Sequence, residues 1–557
     1  MRGLAAILVA CFLAAEARAQ QPNANQAAQP QPSPTAAQAK KPQKPAAPGN
    51  PEAPAKTTEP APAPSSPPEG KPGEEKKEER FDMTEVPPVV THHQLAIEGK
   101  VLKYTATAGR LPIKRSDGKI EAEMFFVAYS LDGQEVSKRP LTFAFNGGPG
   151  SASIWLHLGA LGPRRVMLDP QGFLPPAPYR LEDNPYTLLD KSDLVLVDAV
   201  GTGFSRAENA ETNKNFWGVK GDIDSFSEFI RLYITRYERW GSPLFLFGES
   251  YGTTRSAGIA GNLAPQGIAF NGITLLSTVI NFQTLEYTRT NDQPFVFLVP
   301  SFTMIAGYHH KLPPDLQQDL AGARRQAEQW ATGEYAQALF EGDALPADQR
   351  EKIIEQLSRF TGLSKEVIDQ ANLRITVNTF THYLLIDQKL RVGRLDGRYT
   401  GPDPNPPMGP STAGEGAYDP TEANVLPPFT SAFNNYVRNE LGYKTDMPYY
   451  VFAREAGFRQ WDWGSAIEGF PDTASALRGA LVRNSFLKVL VMQGYYDLAT
   501  PYFAASYSVD QLHLPPKYRS QLSFSTYDTG HMVYLPIDGL KKLKSDQAKF
   551  IDQAIAR

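Results

Sequence analysis

The hydrophobic and polar positions of this chain change rhythm several times. Residues 21–80 contain no Val, Ile, Leu, Met or aromatic side chain. From Phe81 onward the pattern alternates: Lys100 to Ala106 and Glu121 to Tyr129 predict antiparallel strands, with a turn at Asp132-Gly133. Four short, unbroken apolar runs follow, Thr142 to Phe145, Leu194 to Val197, Leu244 to Phe247 and Lys488 to Met492. Runs of this length suit strands covered on both faces, as in a parallel sheet. Between the third and fourth lies a stretch of helical periodicity, residues 281–475. In it, Ile353, Ile354, Leu357 and Phe360 make one apolar stripe closed by Gly362, and the Pro/Gly-rich Gly401 to Gly416 predicts a loop. Neither flank holds a complete core, so the pattern predicts one sheet domain (81–280 and 476–557) interrupted by a helical cap (281–475).

Composition narrows the class. Fifty-six basic against sixty acidic residues give a net charge of −4, which argues against nucleic acid as a partner. Cys11 is the only cysteine, so disulfide scaffolds and cysteine-based zinc sites are excluded. After the first twenty residues no apolar run reaches the roughly 18 residues needed to span a bilayer. Those first residues carry Arg2, the apolar stretch Leu4 to Ala15 and Ala17-Arg18-Ala19, the pattern of a signal peptide over 1–19. The expected location is therefore periplasmic or secreted, and export without disulfides looks bacterial. Cys11 follows Leu8-Val9-Ala10 as in a lipobox, but a cut there would leave a very short apolar region. Residues 20–80, rich in Pro and Ala, cannot bury enough surface to fold and predict a disordered linker. Nothing in the pattern speaks to oligomeric state.

The chemistry concentrates after the predicted strands. Leu244 to Phe247 runs into Gly248-Glu249-Ser250-Tyr251-Gly252, a G-x-S-x-G turn that lifts a serine hydroxyl above a sheet. A nucleophilic serine needs a base, and the base an orienting carboxylate. In α/β-hydrolases the order is Ser, Asp or Glu, then His. Asp497 follows the strand Lys488 to Met492, and His531 follows another, Leu522 to Tyr527. The other seven histidines precede the sheet, lie in the insert or sit in unsuitable connections, and the pair His309-His310 has no acidic cluster to make a metal site. Asn146-Gly147-Gly148-Pro149-Gly150-Ser151 offers backbone N–H groups, which with the Tyr251 N–H would form an oxyanion hole. It lacks the Gly-Lys-Ser/Thr of a phosphate loop.

Taken together, these residues resemble the serine carboxypeptidase family of α/β-hydrolases. Asn146-Gly-Gly-Pro-Gly150 with Gly162-Pro163, Asp198-Ala-Val-Gly-Thr-Gly-Phe-Ser205, Gly248-Glu-Ser-Tyr-Gly252, Gly494-Tyr-Tyr-Asp497 and Gly530-His-Met532 stand in that family's order, from about Leu141 to Val533. The resemblance implies an α/β-hydrolase fold with a mostly parallel central sheet, an N-terminal antiparallel extension and a helical cap. It implies Ser250 as nucleophile, His531 as base, Asp497 as its partner and the Gly148 and Tyr251 N–H groups as oxyanion hole. The terminal carboxylate of a peptide substrate would be held by Asn146, the Gly147 N–H and Glu249, with no metal or cofactor. Glu249 would bind that carboxylate while protonated, favouring acidic pH. Three positions depart from the family: its Cys is Ser151, a Trp is Ala144, and the second glutamate of the carboxylate pocket aligns with Ala160. An esterase or acyltransferase using the same triad is the alternative, and a non-catalytic binding protein on the same fold is a third reading.

Overall fold

A computed structural model describes residues 80–97, 99–404, 418–454, 460–464 and 470–556. The expected signal segment, all of the expected linker but Arg80, and residues 405–416 of the expected loop lie outside the described residues. The chain divides into two units, Met1–Glu75 and Lys76–Arg557, and every described residue lies in the second.

The alternating N-terminal runs form β2 (Lys100–Lys114) and β3 (Ile120–Leu131), longer than the sequence pattern predicts and preceded by β1 (Val89–Ile97). The apolar runs become β4 (Leu141–Phe145), β5 (Asp193–Val197), β6 (Leu244–Glu249) and β8 (Lys488–Gly494). They are joined by β7 (Gly272–Leu276) and β9 (Leu522–Tyr527). The strand order is β1-β2-β3-β5-β4-β6-β7-β8-β9, and Arg206–Ala207 adds a short pairing to β3. Every pairing from β5 to β9 is parallel, whereas β1, β2 and β3 pair antiparallel with one another and with β5. This is the mostly parallel sheet with an antiparallel extension of an α/β-hydrolase core.

Strand residues alternate between two cores. Phe126, Phe143, Val195, Leu246 and Val489 face one side, where they meet Phe226, Phe229 and Ile230 of α1 (Val219–Arg236), Ile259 of α2 (Tyr251–Leu263) and Leu477 of α7 (Ala474–Arg483). Phe125, Leu194, Leu196, Phe245, Phe247 and Met492 face the other, against Phe429 and Phe433 of α6 (Pro420–Asn439) and Leu540, Phe550 and Ile551 of α8 (Ile537–Ile555). At roughly 1.5–3 kcal/mol for each large apolar side chain buried, these two layers fix the strand register and so the places where the strands end.

The stretch 281–475 holds two different packings. Its first part builds a separate core around α3 (Gln293–Tyr308), α4 (Leu320–Trp330) and α5 (Ala347–Thr361). The predicted stripe Ile353, Ile354, Leu357 and Phe360 is buried there, and α5 stops at Gly362 with φ 70°. Further along the same stretch, α6 instead covers the sheet. No helix among the described residues is long and apolar enough to cross a membrane.

Candidate active site

The carboxyl ends of β4, β6, β8 and β9 carry the chemistry. At the end of β6, Ser250 adopts φ 60° and ψ −130°, a strained conformation for a residue with a side chain. It is held by the first turn of α2 and by the Ser250 N–H donating to the Leu276 carbonyl at 2.9 Å. A Cβ on Gly248 would lie 2.1 Å from the Gly252 carbonyl oxygen, so the tight turn requires glycine there.

Asp497, fully buried after β8, accepts from the backbone N–H groups of Ala499 (2.7 Å) and Thr500 (3.0 Å) at Oδ1. Its Oδ2 accepts from the Thr500 hydroxyl (2.7 Å) and from His531 Nδ1 (2.7 Å). Because the carboxylate only accepts, Nδ1 carries the proton and Nε2 is left as the basic nitrogen. Burial works against the imidazolium of His531, but the charge and hydrogen bond of Asp497, aided by Glu249, outweigh it and raise its pKa.

The loop after β4 brings Asn146, Gly147 and Gly148 to the same place. Asn146 Oδ1 accepts from the Leu156 N–H at 2.9 Å, which turns its amide nitrogen toward Glu249. Burial pushes the Glu249 carboxyl up to about 7, against the pull of His531 and hydrogen bonds from Tyr534 and Asn146. The Tyr534 hydroxyl donates to Glu249 Oε2 at 2.8 Å. Its ring occupies space that a side chain at position 159 would need: a Cβ on Gly159 would sit 2.5 Å from it. Beside it, Ala160 is fully buried. The three departures from the family pattern thus have visible settings. Ala144 is packed in the sheet core, while an indole reaches the site from Trp155, whose Nε1 donates to Ser151 Oγ at 3.0 Å.

Two cavities meet at Ser250. The smaller, about 120 Å³, is lined by Asn146, Gly147, Gly148, Glu249, Ser250 and His531, together with Trp155, Arg394, Glu422 and Phe452. The larger, about 250 Å³, is lined by Gly148, Ser250 and Tyr251 and by apolar residues that include Val279, Phe282, Leu285, Leu298 and Leu498. All eight residues singled out in the sequence therefore converge: seven line one or both cavities, and Asp497 lies behind His531.

Two supports are not visible in the sequence. Arg255 of α2, completely buried, pairs through Nε and Nη2 with Asp222 of α1 and through Nη1 donates to the Asn146 carbonyl at 2.6 Å. The segment Arg394 to Arg398 ties the two loops of the His–Asp pair together. The Leu498 N–H donates to the Arg394 carbonyl (3.0 Å) and the His531 N–H to the Leu395 carbonyl (2.7 Å). The Gly530 N–H donates to Asp396 (2.9 Å). Among site residues, Thr500, Tyr534, Glu422 and Arg394 carry no sequence signature; Thr500, three residues after Asp497, and Tyr534, three residues after His531, lie close enough to a motif to have drawn attention. Among the described residues no cluster of three His, Cys, Asp or Glu side chains could hold a metal ion.

Residues 99–279 match the family model for serine carboxypeptidases. Two curated proteins of Arabidopsis thaliana are similar over shorter stretches. Serine carboxypeptidase-like 36 is 30% identical over 129 residues, 23% of either chain, and serine carboxypeptidase-like 34 is 29% identical over 168 residues, 30% of either chain. The match thus spans less than a third of the length of these relatives. Among solved structures, a proline iminopeptidase from Mycobacterium smegmatis is 14% identical with a TM-score of 0.33, covering 80% of this chain and 98% of that one. A carboxyl esterase from Bacillus coagulans is 11% identical with a TM-score of 0.34, covering 81% and 99%.

Proposed function

We propose, from the premise that residues 99–279 are related to the serine carboxypeptidases, that this chain is a serine-type carboxypeptidase releasing the C-terminal residue of peptides. The observation that carries the reading is that one cavity is lined by Ser250, His531, Asn146, Gly147 and Glu249. A nucleophile and base then share a space with groups suited to a terminal carboxylate.

In this mechanism Ser250 Oγ attacks the scissile carbonyl while His531 Nε2 takes its proton. The N–H groups of Gly148 and Tyr251 stabilise the oxyanion. The imidazolium, held by Asp497, returns the proton to the leaving amine as the C–N bond breaks. Water, deprotonated by the same nitrogen, then cleaves the Ser250 ester and frees the shortened peptide. The penultimate side chain would occupy the larger, apolar cavity. The signal segment at residues 1–19 supports a periplasmic or secreted setting.

The test compares an N-blocked dipeptide with its C-terminal amide, with Ser250→Ala as control. Release of the terminal residue from the free acid, lost by at least about 10⁴-fold in Ser250→Ala, is the expected result. Equal or faster turnover of the amide would favour the esterase or acyltransferase reading, which the buried Ala160 supports. Failure of a fluorophosphonate to label Ser250 would leave the non-catalytic one.

A further inference from the structure

Among the described residues, Arg394 is the only Lys or Arg that lines either cavity, and it lines both. Its backbone is pinned on two sides: the N–H donates to Asp419 Oδ2 at 2.8 Å, and the carbonyl accepts from the Leu498 N–H at 3.0 Å. The side chain is exposed and, among the described residues, makes no hydrogen bond or ion pair. Its charge nonetheless reaches the site, disfavouring the imidazolium of His531 and favouring the carboxylate of Glu422. A cation fixed at its root, unpaired at its tip and set beside a nucleophile is arranged for an anion that arrives with the substrate.

We propose that Arg394 is a specificity-determining residue that pairs with the substrate's terminal carboxylate, a charge partner drawn from the inserted segment. This rests on the carboxypeptidase reading. The rest of the cavity makes such a partner necessary. Glu249 and Glu422 both face it, and Oε2 of Glu249 is already bonded to Tyr534. Once either glutamate ionises, a substrate carboxylate would meet like charge. Asn146 and the Gly147 N–H are neutral donors and cannot offset that repulsion. A guanidinium can, and it can grip two carboxylate oxygens at once.

The experiment uses the full chain and a neutral p-nitrophenyl ester as reporter, so that it reads binding without requiring peptide cleavage. N-acetyl-phenylalanine and N-acetyl-phenylalaninamide are compared as competitive inhibitors of wild type, Arg394→Gln and Arg394→Lys. The expected result is that Arg394→Gln weakens the acid at least about tenfold more than the amide, as for a lost charge-assisted contact, and that Arg394→Lys restores part of the difference. An acid-to-amide ratio that is the same in wild type and Arg394→Gln overturns the proposal. So do equal losses for both inhibitors, which would mean a structural role. A wild type that prefers the acid inhibitor through Arg394 yet releases no C-terminal residue would overturn the carboxypeptidase reading and leave the anion contact standing.

Discussion

Glu249 and Tyr534 set the acid–base character of the carboxylate cavity between them. Burial pushes the Glu249 carboxyl up to about 7 even though the Tyr534 hydroxyl favours the ionised form. On the carboxypeptidase reading, Glu249 would donate to a substrate carboxylate below that value and repel one above it. Turnover of a free-acid dipeptide should therefore decline as pH rises through neutrality, while a neutral ester follows only the His531 ionisation. Tyr534→Phe removes a donor to the carboxylate, so the midpoint of that decline should move to higher pH. Rate profiles of the two substrates from pH 4 to 9, in both proteins, check this, and an unmoved midpoint would separate Tyr534 from the chemistry. Glu249→Gln should flatten the free-acid profile toward that of the ester.

Between elements, the Arg255–Asp222 pair joins α2 to α1 and reaches the loop after β4. Breaking a fully buried pair leaves one charge uncompensated, so Arg255→Met should destabilise the protein by about 3–5 kcal/mol, with Asp222→Asn in the same chain recovering part of the loss. Denaturant melts of the four members of that cycle measure it. The strand ends were legible in the sequence because they obey local rules: apolar runs of four to five residues followed by G-x-S-x-G and Gly-Tyr-Tyr-Asp, and a short strand before Gly-His-Met. Strand β7, which carries no chemical motif, and β1, which is half exposed, gave no such signal. Arg255 was hidden for another reason. A charged residue three places past the end of a motif reads as surface, and only the tertiary fold brings Asp222 and the Asn146 carbonyl to meet it. Arg394 and Glu422 come from a stretch whose periodicity reports helices but not which edge of the sheet they reach.

For the whole molecule, the buried titratable groups act on stability in both directions as pH changes. Glu249 and Asp198 both have carboxyls raised to about 7 by burial, and the pKa of His531 is raised as well. In each case the folded state holds its proton more tightly than the unfolded chain, so the stabilisation is complete below the unfolded pKa and is lost as pH rises through the folded one. Keeping Glu249 ionised at pH 8 costs on the order of 3 kcal/mol. His157 acts in the opposite sense: burial lowers it from 6.5 to about 3, so its contribution is lost as pH falls below its unfolded value. Thermal melts across pH 4 to 9 should show the melting temperature falling as pH rises through 7, and a melting temperature still climbing above pH 8 would contradict the assignment. The strap from Arg394 to Arg398 has a consequence for how the protein comes into being. A ribosome delivers Ser250 long before Asp497 and His531, and the loops bearing those two residues are clasped by a segment from the middle of the chain. The nascent polypeptide therefore carries its nucleophile through synthesis without a partner to arm it. On the proposed reading, hydrolytic competence would arrive only with the last strands.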